Sequence, residues 1–283
     1  GRWLRRLGFA LLGCALAFGV GTLLGAPVAW PFDVVVNFGA PVEAPDLRAP
    51  DDGRVRVVVL QHGLFRTRRS LDRLERTLRA NGYEVLNPGY PSTQARIEAH
   101  AERLAAAIAR RVAAGPVDEF SFVGHSMGGL VIQEYLRRPD AQEPAACVYL
   151  ATPHRGALLA DARRHWFLFR LAMGSEAAVQ LATTDAFHAQ PIPFGARSGT
   201  IIGDVGDGNG SIPGRDDGTV GVDEATFAGA AASCTVPYGH TRITLMPAVH
   251  RQVLHFPGPE ALRATPPGPS RRARSRGRLR GPR

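Results

Sequence analysis

SFVGHSMGGLVIQ, residues 121–133, decides how this chain is read. Its first residues favour a strand and its last a helix, and a serine stands at the junction with glycine two positions away on either side. Gly124-His125-Ser126-Met127-Gly128 fits the pattern G-x-S-x-G, and a strand before it with a helix after it is the context that pattern requires. The reason is steric: a sharp strand-to-helix turn strains the serine backbone, and only small neighbours leave room for it. The side chain then stands above the sheet end, where the first N–H groups of the helix can receive negative charge. Ser126 is therefore a candidate nucleophile, and the plain alternative is a polar residue in a tight turn.

Working outward, strand and helix patterns alternate. RVRVVVLQ (54–61) is a β-branched run suited to a strand buried on both faces. RRSLDRLERTLRANG (68–82) has helical spacing at Leu71, Leu74 and Leu78 and a stop at Gly82. YEVLNPGY reads as a strand and TQARIEAHAERLAAAIARRVAAG (93–115) as an alanine-rich helix; AACVYLAT, GTIIGDVG and CTVPYGHTRI add strands before the helix MPAVHRQVLHF. This order predicts an α/β domain over 54–263, with a mostly parallel sheet and helices on both faces. The pattern breaks between 153 and 197, where WFLFRLAM (166–173) is too bulky for an exposed helix. That stretch reads as a lid-like insertion, with an ordinary packing helix as the alternative.

Both ends differ from this body. All of the 34 basic residues are arginine, and seven of them (Arg271, Arg272, Arg274, Arg276, Arg278, Arg280 and Arg283) fall in an acid-free Pro/Gly/Arg tail, 264–283, which reads as disordered. Without it the formal charge drops from +9 to about +2, so the body lacks the basic footprint of a nucleic-acid binder and no nucleic-acid partner is expected. Leu7 to Phe32 carries no charged residue, longer than the roughly 20 residues a spanning helix needs. Residues 1–32 are thus expected to be a membrane anchor or a signal segment, followed by a Pro/Gly/Asp-rich linker over 33–53. Flanking arginines Arg2, Arg5 and Arg6 would leave the domain outside the cytoplasm, membrane-anchored or secreted if the segment is cleaved. The three cysteines are too few and scattered for a disulfide framework or a zinc site, though Cys147 and Cys234 leave one bridge open.

Several stretches in order, VVLQHGLFRTRRSLDRL, NPGYPST, VGHSMGGLV, LATPHRGA, PGRDDGTV and GHTRITLMPAVHRQVLHF, resemble the α/β-hydrolase family, more narrowly its lipases and esterases. The resemblance spans about Val55 to Phe256. It implies the α/β-hydrolase fold and a triad in chain order nucleophile, acid, histidine, with no cofactor. It makes Ser126 the nucleophile, and His62-Gly63-Leu64-Phe65 the oxyanion loop, so that the N–H groups of Leu64 and Met127 form the hole. An ordinary strand-to-loop turn is the alternative for this His-Gly pair. Asp217-Gly218-Thr219-Val220 resembles the acid segment, which favours Asp217 with Asp216 second. His240, after Gly239 and ahead of a proline-led helix, resembles the base, whereas His250 and His255 fall inside that helix. His125 and His154 receive plain roles, packing beside the serine and forming a turn. Asp207-Gly208-Asn209-Gly210-Ser211 has alternate oxygen ligands in the manner of a calcium loop but lacks its late glutamate, so a turn is the simpler reading and no metal is expected. The implied activity is hydrolysis of carboxylic esters or lipids through an acyl-enzyme. Acyl transfer and thioester hydrolysis share its first half, and a non-catalytic membrane scaffold is the rival outside enzymes.

Overall fold

A computed structural model describes residues 49–163, 180–183, 185–207 and 209–256. The membrane segment, most of the linker, the arginine tail and the Trp166–Leu171 part of the insertion lie outside the described residues. Among the described residues no helix is long and apolar enough to cross a membrane.

The described strands, β1 (Arg56–Gln61), β2 (Glu84–Leu86), β3 (Glu119–His125), β4 (Pro144–Leu150), β5 (Ser198–Gly203) and β6 (Ala232–Val236), form one sheet in the order β2-β1-β3-β4-β5-β6. Every neighbouring pair is parallel. Between them run α1 (Asp72–Ala80), α2 (Ile97–Ala113), α3 (Met127–Leu136) and α4 (Leu158–Arg163), and α5 (Pro247–His255) closes the domain. The side-chain alternation of a strand divides the core into two layers. Val57 and Val59 pack with Ile97, Leu104, Ile108, Leu130 and Tyr135 from α2 and α3. Val58 and Leu60 pack on the other face with Leu74 and Leu78 of α1 and Val249 and Val253 of α5. A strand buried on both faces needs the unbroken apolar run that β1 and β4 possess.

Local chemistry shifts several expected boundaries. The helix expected from residue 68 begins as a 3-10 turn, Arg68–Leu71, because Thr67 Oγ1 accepts the Arg69 N–H at 3.3 Å; α1 follows, and the chain leaves through Gly82 at φ +87°. The helix expected from 93 starts at Ile97, whose N–H is taken by Gln180 Oε1 at 2.6 Å, so its first donor is satisfied from the insertion. Cys147 on β4 and Cys234 on β6 are both free and buried. With β5 lying between their strands, sheet spacing alone puts them at least about 9–10 Å apart, beyond the ~7 Å a disulfide allows, and Cys147 pairs with Ser198 whereas Cys234 pairs with Ile201, so the bridge left open by the sequence does not form.

The order of strands also locates a site. From β1 the chain steps to the edge at β2, and from β3 it steps the other way to β4, so the connections diverge between β1 and β3. A crevice opens at the carboxyl ends of such neighbours. Gln61 at the end of β1 pairs with Gly124 near the end of β3, which brings the segments beginning at His62 and Ser126 to the same edge.

Candidate active site

Ser126 joins β3 to α3 with φ 54° and ψ −130°, a positive-φ conformation that costs a non-glycine residue on the order of 1–3 kcal/mol. Two backbone bonds hold it there: its N–H donates to Leu150 O at the end of β4, and its own C=O accepts the Gly129 N–H, each at 2.9 Å. The glycines of the motif are required by close approach. A Cβ on Gly124 would lie 2.5 Å from the Gly129 Cα, and one on Gly128 would lie 2.2 Å from Gln61 O and 2.5 Å from His62 O. The start of α3 is thus pressed against the end of β1. Met127, first in α3 and fully buried, has an N–H without an acceptor one turn earlier in the helix.

The His62–Phe65 loop lies against this turn, since a Cβ on Gly63 would come 3.0 Å from Ser126 Cβ. His62 is buried and neutral: burial pushes its pKa down to about 4. Its Nδ1–H donates to Gly63 O at 2.9 Å and its Nε2 accepts the Tyr90 N–H at 3.4 Å. Tyr90 stacks on the imidazole at 4.3 Å between ring centres, and its hydroxyl donates to His62 O at 2.6 Å. Phe65 is left-handed at φ 59°; its N–H donates to Ser92 Oγ at 3.1 Å, and Arg66 N–H closes the turn on Gly63 O at 3.3 Å. Leu64, the apex, packs half-buried against the core. Tyr90 and Ser92 both come from NPGYPST, a stretch the sequence marks only by resemblance.

The acid and base meet directly. Asp217 Oδ2 accepts the His240 Nδ1–H at 2.7 Å, and the His240 N–H donates to Asp217 O at 2.9 Å. The other carboxylate oxygen, Oδ1, accepts from Thr219 N at 2.9 Å and Val220 N at 2.7 Å. The Asp217 side chain is 1% exposed against 14% for His240, so the pair is sealed on the acid side and open on the histidine side. Gly203 ends β5 without a side chain because a Cβ there would stand 2.7 Å from Asp217 Cβ. Asp216 points elsewhere: its carboxylate accepts from Gly218 N at 2.6 Å and Asn209 N at 3.0 Å and scaffolds the loop.

His125, next to Ser126 in the chain, is the residue that touches this pair. His125 Nε2–H donates to His240 O at 2.9 Å, with the two rings 4.8 Å apart. Burial holds the His125 pKa well below its usual value, so the ring is a neutral, single-tautomer strut. His154 is also buried and neutral, pushed down to about 3; its Nδ1 accepts from Gln133 Nε2 at 2.7 Å and its ring edges lie on Tyr149 and Phe227. His250 is held between Thr244 O and the Thr77 hydroxyl on the face of α1 and α5. Among the described residues no cluster of three or more His, Cys, Asp or Glu is arranged to hold a metal.

Residues 56–189 match the sequence model of the alpha/beta hydrolase fold. Among solved structures, a lipase of Bacillus licheniformis in its mature form is 23% identical with a TM-score of 0.55, over 77% of this chain and 94% of that one. A metagenomic carboxyl esterase is 22% identical with a TM-score of 0.51 over 73% of this chain and 69% of the other. A phospholipase of Legionella pneumophila is 14% identical with a TM-score of 0.54, covering 73% and 61%. A search of curated protein sequences returns no match. The strand–serine–helix turn, the sheet order and these likenesses agree: the chain has the α/β-hydrolase fold.

Proposed function

We propose that the domain is a serine hydrolase of carboxylic esters, of the lipase or esterase kind, working through an acyl-enzyme on Ser126. The observation that carries this reading is the Asp217–His240 hydrogen bond, joined through His125 to the turn on which Ser126 is held at φ 54° between close-packed glycines. With Nδ1–H committed to Asp217, His240 presents Nε2 as the free lone pair, the tautomer a general base needs. It takes the Ser126 proton as the hydroxyl attacks the ester carbonyl. The oxygen that becomes negative is received by the N–H groups of Leu64 and Met127, each worth roughly 3 kcal/mol in the transition state. His240 returns the proton to the leaving alcohol, then activates the water that releases the acid. The lipase, carboxyl esterase and phospholipase named among the structural neighbours support an ester or lipid substrate. The uncharged stretch from Leu7 to Phe32 supports a place at a membrane, outside the cytoplasm, or secretion once it is cleaved.

Fluorophosphonate labelling with p-nitrophenyl ester assays tests the reading. The probe is expected on Ser126, and Ser126→Ala is expected to lose at least about 10³-fold in kcat. Undiminished turnover in that variant would overturn it.

A further inference from the structure

Besides Asp216, which scaffolds its own loop, the mechanism leaves a buried acid unused. Glu224, 6% exposed, stands between the loop that carries Asp217 and the root of the insertion. Its carboxylate is divided between them. Oε2 accepts the Gly221 N–H at 2.7 Å, and Oε1 accepts the N–H of Leu158, first residue of α4, also at 2.7 Å. Its backbone C=O adds the Arg155 N–H at 3.4 Å. Burial raises the Glu224 carboxyl pKa, the Leu158 and Gly221 N–H groups pull it back, and Asp217 and Asp161 push it up again.

Each segment that Glu224 joins is itself braced. On the acid side Gly221 follows Val220, whose N–H holds Asp217 Oδ1 and whose C=O accepts the Asp217 N–H at 3.1 Å. Asp216 and Gly221 form an antiparallel bridge across the same turn. On the insertion side the outgoing and returning chain are fastened together. Ala157 N–H donates to Leu181 O at 2.8 Å, and the Asp161 carboxylate accepts from both the N–H and the hydroxyl of Thr183. Gly156, at φ +83°, permits this contact, since a Cβ there would lie 2.5 Å from Thr183 Cα. The Glu224 side chain and the Arg155–Glu224 backbone bond tie this root to the acid turn.

We propose that Glu224 is a positioning residue for Asp217, holding the acid turn in register with the root of the insertion so that the carboxylate stays on His240. The proposal rests on the hydrolase reading. Without the carboxylate, the buried Gly221 N–H and the half-buried Leu158 N–H lose their acceptor and Gly221 is freed to move toward water. Val220 moves with it, and Asp217 loses one of the two donors that fix its Oδ1.

The test compares Glu224→Ala and Glu224→Gln with Leu78→Ala, a destabilising control on α1 whose side chain is buried in the layer with Val58 and Leu60. Two quantities are read: kcat and KM on a p-nitrophenyl ester, and the low-field proton NMR line of the His240 Nδ1–H, the latter also in a Ser126→Ala background. Glu224→Ala is expected to lower kcat about tenfold with KM within about twofold, as a small misplacement of a catalytic group does. The NMR line should shift or broaden. Glu224→Gln keeps one acceptor and should fall between Ala and the parent, while Leu78→Ala lowers the melting temperature with neither effect. An unchanged kcat and line in Glu224→Ala, or equal changes in Leu78→Ala, would overturn the link. Should Glu224→Ala fail to fold, Glu224→Gln decides on the same two readouts. If Ser126→Ala kept full turnover, the hydrolase reading would fall, yet an unmoved line would still refute the tie between Glu224 and Asp217.

Discussion

Asp217 has no acceptor to spare. Oδ1 serves Thr219 and Val220, and Oδ2 serves His240. In Asp217→Asn the single carbonyl oxygen must stay with the two backbone donors, which turns the amide NH2 toward the imidazole and forces the wrong tautomer. A folded variant is expected with kcat lower by about 10³–10⁴-fold, checked by steady-state kinetics alongside circular dichroism. Gly128→Ala should fail differently, because its new methyl meets the carbonyl oxygens of Gln61 and His62, which cannot swing aside. A stability loss of about 2–3 kcal/mol by denaturant titration is expected. At this scale Ser126 was legible because its constraint is written into five consecutive residues. Asp217 and Asp216 were not separable by local chemistry, since both are acidic neighbours in one turn and only side-chain direction divides them; resemblance alone favoured the first. His125, Tyr90 and Glu224 act across 115, 28 and 66 positions, and no spacing announces such contacts.

The loop after β1 carries a left-handed Phe65 and a buried histidine, and it keeps its shape through borrowed partners. Tyr90 supplies a ring to stack on and a hydroxyl for His62 O. Tyr90→Phe keeps the stacking and deletes only that bond. We expect about 1 kcal/mol of stability lost and kcat reduced several-fold with KM nearly constant, measured by thermal melts and ester kinetics. Elements as a class were readable from the sequence, since the β-branched run gave β1, the apolar ACVYL gave β4 and the Leu71/Leu74/Leu78 spacing gave α1. Their ends were not. Thr67 turns the first residues of one helix into a 3-10 turn, and Gln180, more than eighty positions away, decides where α2 starts. YEVLNPGY shrinks to a three-residue edge strand, Glu84–Leu86, ahead of a proline that has no N–H to pair.

For the whole molecule, buried neutral histidines set the acid limit. His62, His100 and His250 are pushed down to about 4 and His154 to about 3, chiefly by burial. In the unfolded chain each takes a proton near its ordinary value of 6.5, so below that pH the unfolded state binds more protons than the folded one. Stability therefore falls as pH drops from about 6.5 to about 4. Thermal melts over this interval should show a steady decline, less steep in His250→Gln, which removes one such group away from the catalytic edge. The parallel sheet and its two layers were foreseeable because alternation of strands and helices permits few arrangements. The crevice between β1 and β3 was not, as strand order is a property of the assembled sheet.

Cys147 and Cys234, kept on separate strands by β5, have thiols pushed up to about 12 and about 11. Neither offers a reactive sulfur to solvent while the core is closed. The described domain therefore carries its own built-in sentinel: a maleimide or iodoacetamide added to the native protein should spare both positions, and the speed of their alkylation in mild urea becomes a clock for how often the sheet opens. Reducing agents, by the same token, should be harmless to the heat resistance of this part of the chain.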